Sequence, residues 1–458
     1  MTGIPLIIAF VVAVVLMIVA ISKWKVHPFL SIMGVSLLLA LVAGIPLVKT
    51  GDTNGIADVI GAGFSGTFSS IGIVIILGAL IGSILEQTGA ALKLADMTVK
   101  LVGKKNPELA LQLMGWVVSI PVFCDSGFVI LDPIRKALVK RTGRSSVACT
   151  VALSCGLYIS HVFIPPTPGP IAAANTLGIG DNLLLVIGLG VLCSIFPLVA
   201  GFAYAKFIGK RVKSADEIAS SDEVVKTYEE LVAGYGKLPG GFNALAPILV
   251  PVILMALGTI GKQVGITGFA LDLLTFLGTP IISLAVGTIF AVIQLALAKK
   301  MGDFYSITND TLKTVGPILF VTAAGGVLGK VISSTTMVAY ITENANFLMD
   351  LGIFFPFLLA AILKTAQGSS TVAITTTAGI MAPMMASLGL NTPVLGALTV
   401  MAIGAGAMTV SHANDSYFWV VTNFGEMTPD QGYKTQTVLT LVMGVASIIG
   451  IFLVSLFF

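Results

Sequence analysis

The stretch KTAQGSSTVAITTTAGIMAP, residues 364–383, decides the fold. An apolar run, residues 353–363, climbs to one lysine and a Gly-Ser-Ser tip, then resumes as residues 372–385. A helix needs ~20 residues to cross the hydrocarbon core of a bilayer. Each run is shorter than that, and the tip between them is too polar for lipid. The pair therefore reads as a hairpin that dips into a membrane and sets its tip against protein and a cavity. The rest of the chain reads as a frame that holds this tip, and a second one like it, near mid-membrane.

Composition excludes a soluble domain. The 458 residues are 56% hydrophobic and 10% charged, with a mean hydropathy of +1.01, more apolar surface than a soluble core of this length can hide. The chain reads as an all-α polytopic membrane protein. Cys124, Cys149, Cys155 and Cys193 lie in apolar stretches without the spacing of a zinc site or a disulfide framework, so they read as small core residues. Fifty glycines point to close helix packing and broken helices. Residues 4–21 lack a basic leader and are followed by Lys23 and Lys25, which fits an uncleaved first span.

Three apolar runs open the chain, at residues 4–21, 29–48 and 69–85, the last with Gly78 and Gly82 at the spacing of a tight helix contact. A second hairpin, residues 109–138, has arms flanking the cluster Cys124-Asp125-Ser126-Gly127. Residues 147–177 form a helix that must break, because Pro165-Pro166-Thr167-Pro168-Gly169-Pro170 removes four amide donors in six positions. Residues 183–207 then cross, and the mixed-charge stretch 209–242 reads as a cytoplasmic linker.

The second half repeats the first. Spans at residues 244–260, 269–298 and 314–332 precede the hairpin, residues 353–386. A helix over residues 391–424 follows, broken at Ser411-His412-Ala413-Asn414-Asp415-Ser416, and residues 437–458 form the last span. Gly325 and Gly329 echo Gly78 and Gly82 at an offset of 247, Ser411-His412 echoes Ser160-His161 at 251, and Ser369 echoes Ser126 at 243. These offsets mark two repeats, residues 1–208 and 243–458, each with three spans, a re-entrant hairpin, a discontinuous helix and a final span. A hairpin returns to the side it left, so each repeat crosses an odd number of times and the two have inverted topology. On that topology 21 of the 25 Lys and Arg fall on one side, leaving Lys49, Lys262, Lys330 and Lys364. The crowded side is the cytoplasm, and both termini lie outside.

Inverted repeats with hairpins and broken helices are the mark of a secondary transporter whose site lies at the repeat interface. Half-helix N-termini present free amides and a positive dipole end to an anion. At the second tip Gly368, Ser369, Ser370 and Thr371, with Gln367, converge as ligand contacts or, more plainly, cap the second arm. Lys364 lies too deep to reach the surface and either holds an anionic substrate or neutralises a carboxylate such as Asp125. Asp125, Asp415 and His161 are the candidate proton-coupling groups. Asp132, beside Arg135, reads as an ion pair at the cytoplasmic end. His161 and His412 titrate in a useful range, yet either could serve only to satisfy backbone groups at a break. Ser126, Gly127, Thr167, His412, Asn414 and Ser416 complete the candidate substrate binders. No metal-ligand cluster, phosphate loop or nucleophile-and-base pair is present in the sequence, so neither a cofactor nor an enzyme activity is expected, and nothing points to nucleic acid.

At these residues the chain resembles the gluconate permease family, gluconate:proton symporters of the ion transporter superfamily, along essentially its whole length. The resemblance rests on Gly127-Phe128-Val129, on Ser160-His161 leading into Pro165 to Pro170, on Gly368-Ser369-Ser370-Thr371-Val372, and on Ser411-His412-Ala413-Asn414-Asp415 before Phe418-Trp419. It implies proton-coupled uptake of sugar acids or related hydroxy acids across a bacterial inner membrane, with the hairpins in a mobile domain and a homodimeric assembly. The chain departs from the family pattern at Asp125-Ser126, Thr167, Lys364, Gln367 and Ser370, where gluconate carriers usually show Glu-Val, His, Arg, an apolar residue and Ala. Acid and cation types are kept while hydrogen-bond donors change, which favours a shorter anion such as glycerate or threonate over gluconate. Sodium coupling is the near alternative and an ion channel the more distant one.

Overall fold

The computed structural model describes residues 3–94, 97, 106–218, 238–263, 266–337, 340, 351–412 and 415–458. Among them every long element is a helix. The first half contains α1 (Ile4–Ser22), α2 (Pro28–Ala43), α3 (Ile56–Gln87), α4 (Pro107–Val118), α5 (Cys124–Thr142), α6 (Ser146–Phe163), α7 (Pro168–Thr176) and α8 (Leu183–Ile208). The second contains α9 (Gly241–Gln263), α10 (Phe269–Gly278), α11 (Pro280–Leu297), α12 (Phe304–Ser333), α13 (Phe354–Gln367), α14 (Ser370–Met381), α15 (Pro393–Met408), α16 (Ser416–Phe424) and α17 (Val438–Ser455). Eight segments of the described chain are long and apolar enough to cross a membrane.

Local chemistry sets the helix ends. Pro28 occupies the first turn of α2, where its missing amide is no loss, and Gly44 ends that helix in the left-handed region at φ 83°. Asp58 accepts from the Gly55 amide at 3.0 Å and starts α3, which at 1.5 Å per residue is about 48 Å long. The third span thus begins at Ile56 rather than 69. Residues 269–298, expected as one span, are two helices: Pro280 supplies no amide, and Thr279 before it is extended at φ −63°, ψ 132°.

Packing sorts the helices into two blocks. In the inner block α6 is buried along its whole length and packs on α4, α5 and α8, while α15 packs on α13 and α17; α6 and α15 meet each other. The outer block joins α2 to α12, and α9 and α11 to α3, around the α3–α12 pair, while α1 packs on α2 and α13. That pair runs antiparallel, since a β-carbon on Gly63 would meet Val327 and Lys330 while Thr311 donates to Ser83 at 2.9 Å. The glycines read from the sequence are where the blocks touch. A β-carbon on Gly82 would fall 2.1 Å from the Pro121 carbonyl, and one on Gly329 would fall 2.5 Å from the Gly379 carbonyl. Large side chains on the outer faces, such as Ile8, Val12, Ile195, Val199 and Ile449, are exposed as a lipid-facing surface requires.

Candidate functional site

The second tip is the turn between α13 and α14. Gly368 closes α13 in the left-handed region at φ 90°, which a residue with a β-carbon would resist. Ser369 is extended, and its hydroxyl accepts from the Val372 amide at 3.3 Å. Ser370 and Thr371 therefore sit in the first turn of α14. The first tip is the start of α5, where Cys124 and Asp125 occupy the first turn and no side chain caps the helix. In the second break Asp415 caps α16 by accepting from the Tyr417 amide at 3.0 Å.

These starts of α5, α14 and α16 line one cavity of about 400 Å³, walled also by Tyr158 and His161 of α6, by His27 and Pro28 at the start of α2, and by Pro317, Ile318 and Val321 of α12. Helix N-termini carry free amides and a partial positive charge, so their convergence suits a bound anion.

The one charged pair at the tips is buried behind this wall. Lys364 Nζ lies 2.6 Å from Asp415 Oδ2 and also donates to the Gly368 carbonyl. Ser411 donates to the same Asp415 oxygen at 2.5 Å. Lys364 is fully buried and does not line the cavity. The carboxylate it meets is that of Asp415 and not that of Asp125, because the capping position of Asp415 aims its side chain back at the end of α13. Asp125 stands apart. Among the described side chains it accepts a long bond from Ser416 at 3.4 Å and a weak one from the Cys124 thiol at 3.8 Å.

Several sequence candidates lie elsewhere. Thr167 is buried and donates to the Ile164 carbonyl at 2.7 Å, satisfying the first break. Gly127 packs against Leu157. His412 Nε2 sits 2.8 Å from the Thr365 carbonyl. Asn414, and the side chains of Ser126 and Gln367, lie outside the described residues. Asp132 and Arg135 pair at 2.6 Å, and Arg135 continues to Ser146 at 2.5 Å. The described residues contain no group of His, Cys, Asp and Glu placed to hold a metal ion.

Three cavity residues escaped the sequence reading. Tyr158 lies three positions before His161 on α6, a spacing that puts both on one helix face. Among the described residues the Tyr158 hydroxyl and His161 Nδ1 are buried without a hydrogen bond of full geometry, the hydroxyl lying against Ser370. Such atoms are costly unless something in the cavity meets them. His27 arrives from α2, where its Nδ1 accepts from the Phe29 amide at 3.2 Å, and no local pattern in the sequence links it to the tips. Tyr417, whose ring lies 5.0 Å from that of Tyr158, donates to the Ser154 carbonyl at 3.2 Å and braces the wall.

Known proteins bear on this arrangement. The profile of the GntP family permeases matches residues 4–457. The chain is 33% identical over 455 residues to the inner membrane permease YgbN of Escherichia coli, covering 97% of each. It is 30% identical over 457 residues to the low-affinity gluconate transporter of the same organism, covering 98% of each. Among solved structures, the YdaH transporter of Alcanivorax borkumensis superposes with a TM-score of 0.63 at 17% identity, covering 94% of this chain and 97% of that one, which is a likeness of fold. The chain belongs to the GntP family of permeases and is a multi-pass, all-helical membrane protein.

Proposed function

We propose that this permease imports a small hydroxy carboxylate, of the sugar-acid class, together with a proton. The observation that carries the reading is the convergence of the α5, α14 and α16 N-termini on one cavity beside Asp125. Lys364 neutralises Asp415, so Asp125 is the carboxylate whose charge decides what enters. An ionised Asp125 repels an incoming carboxylate at close range, and a protonated Asp125 does not. Proton and anion then favour each other's binding by the same free energy, which is the linkage a symporter needs. The amides and hydroxyls of Ser370 and Thr371 are assigned to the carboxylate, and the Tyr158 hydroxyl and His161 Nδ1 to substrate hydroxyls. Lys364 acts through Asp415.

The same reading treats residues 1–208 and 243–458 as inverted repeats joined by a cytoplasmic linker, with α4–α5 and α13–α14 as re-entrant hairpins, both termini outside a bacterial inner membrane, and a homodimeric assembly. The antiparallel α3–α12 pair and the sided Lys and Arg distribution support it. Purified protein in sodium-free proteoliposomes tests it. An inward pH gradient is expected to drive saturable uptake of an aldonate from a panel of gluconate, threonate and glycerate. Uptake that requires sodium and ignores the pH gradient would replace the proton with sodium, and competition by gluconate alone would remove the shorter acids.

A further inference from the structure

Helix α12 passes three cavities in order, and their charges differ. The cavity of the tips touches it at Pro317, Ile318 and Val321. Toward its N-terminus, a cavity of about 380 Å³ meets it between Asp303 and Thr314 and carries Glu86, Asp303 and Asp310. Of these, Asp310 pairs with Lys313 at 2.9 Å, while Lys300 donates to the Gln87 carbonyl at 2.8 Å, so three acids face two cations there. Toward its C-terminus, another of about 380 Å³ meets it between Gly326 and Ser333 and carries Lys330 with Thr67, Asn175, Thr176 and Ser333. No Asp or Glu lines this last cavity among the described residues, and Lys330 has no ion-pair partner among them. The acidic cavity shares Phe123 with the tip cavity. The Lys330 cavity is cut off from it where α14 presses on α12, Gly379 against Gly325 and Gly329. Along α3 the outer two cavities are centred near Thr67 and Glu86, about 30 Å apart at 1.5 Å per residue, which is the thickness of a bilayer core.

We propose that the Lys330 cavity is a docking site for the substrate carboxylate on the face away from the acidic vestibule. The identity of the anion as substrate and its direction of travel rest on the transport reading above. A single cation ringed by hydroxyls and an amide, with no acid among the described residues to neutralise it, holds a hydroxylated anion in the way a water-filled entrance permits, weakly and reversibly. It raises the local concentration of anions next to the α12–α14 closure. The acidic cavity at the other end does the opposite, so the two faces differ in apparent affinity for the same anion.

The test reads the potential of the cavity directly. Ser333 is exposed beside Lys330, Cys149, Cys155 and Cys193 are buried, and Cys124→Ser removes the thiol that lines the tip cavity, so in that background Ser333→Cys offers one reactive thiol in the full-length protein. A sulfonate-bearing methanethiosulfonate is expected to react there severalfold faster than in Ser333→Cys/Lys330→Gln, a trimethylammonium reagent is expected to show the reverse, and millimolar gluconate or threonate is expected to slow the sulfonate reagent. Lys330→Gln alone is expected to raise the KM for uptake from the Lys330 side about threefold and to flatten its salt dependence, with Lys330→Arg near wild type. Equal labelling rates with and without Lys330, or no protection by either anion, would overturn the docking site. Charge-dependent labelling and protection in a protein that takes up none of the acids would support the docking site and overturn the transport reading alone.

Discussion

The two broken helices solve one problem in different ways. The first break, between α6 and α7, is uncharged: prolines remove the amide donors, and Thr167 bonds the Ile164 carbonyl at 2.7 Å. The second, between α15 and α16, is ionic: Asp415 caps α16 and is held by Lys364 at 2.6 Å and Ser411 at 2.5 Å. A proline break needs nothing from its neighbours. An ionic one ties the end of α13 to the start of α16, and so makes one tip depend on one break. The difference teaches that helix starts from both halves of the chain supply the cavity while its chemistry comes unequally from them. The first half contributes Asp125, without an ion-pair partner among the described residues, and Tyr158, and the second contributes the hydroxyl-rich tip, Tyr417 and a self-neutralised pair.

The sharpest way to break the comparison is to remove one partner of the ionic break. Lys364→Ala leaves Asp415 buried and unpaired, which is expected to cost about 3–5 kcal/mol and abolish uptake, read by thermal unfolding in detergent and by proteoliposome flux. Lys364→Met combined with Asp415→Leu is expected to regain most of the stability and none of the uptake. Next in size, Gly329→Leu sets a side chain where a β-carbon alone falls 2.5 Å from the Gly379 carbonyl. It is expected to cost about 1–3 kcal/mol and to cut the uptake rate by forcing α12 and α14 apart. Tyr158→Phe removes a buried hydroxyl that faces the cavity against Ser370. It is expected to leave stability nearly unchanged and to raise KM for hydroxylated acids about tenfold, by the roughly 1.4 kcal/mol of one hydrogen bond to ligand. Smallest is Thr167→Val in the proline break, expected to cost about 1 kcal/mol with transport retained, read by the same melt.

Much of the frame was legible in the chain because short apolar arms, proline clusters and paired glycines are local signals. Gly78, Gly82, Gly325 and Gly329 declared helix contacts before any partner was known, and the structure supplies the backbones they meet. Pro280 was equally visible, yet a continuous apolar run hid the break it makes between α10 and α11. The cavity was less legible, since its wall is assembled from residues far apart in sequence. His27 and Asp125 lie 98 positions apart and face one cavity. Lys364 called for an anionic substrate or a buried carboxylate such as Asp125, and the fold sets it against Asp415 instead, because a capping side chain is aimed by the helix it caps. His412, read as a proton group or a backbone partner, stands against the Thr365 carbonyl.

The account turns on Asp125 as the acid whose protonation admits the anion. Initial uptake of the preferred acid as external pH is lowered, in wild type and in Asp125→Asn, tests it most directly. The account predicts that wild-type KM falls as the outside is acidified, and that Asp125→Asn, neutral at every pH, shows a flat profile, exchanges substrate across the membrane and no longer accumulates it against a gradient. Accumulation driven by a pH gradient in Asp125→Asn, with the wild-type profile intact, would contradict it.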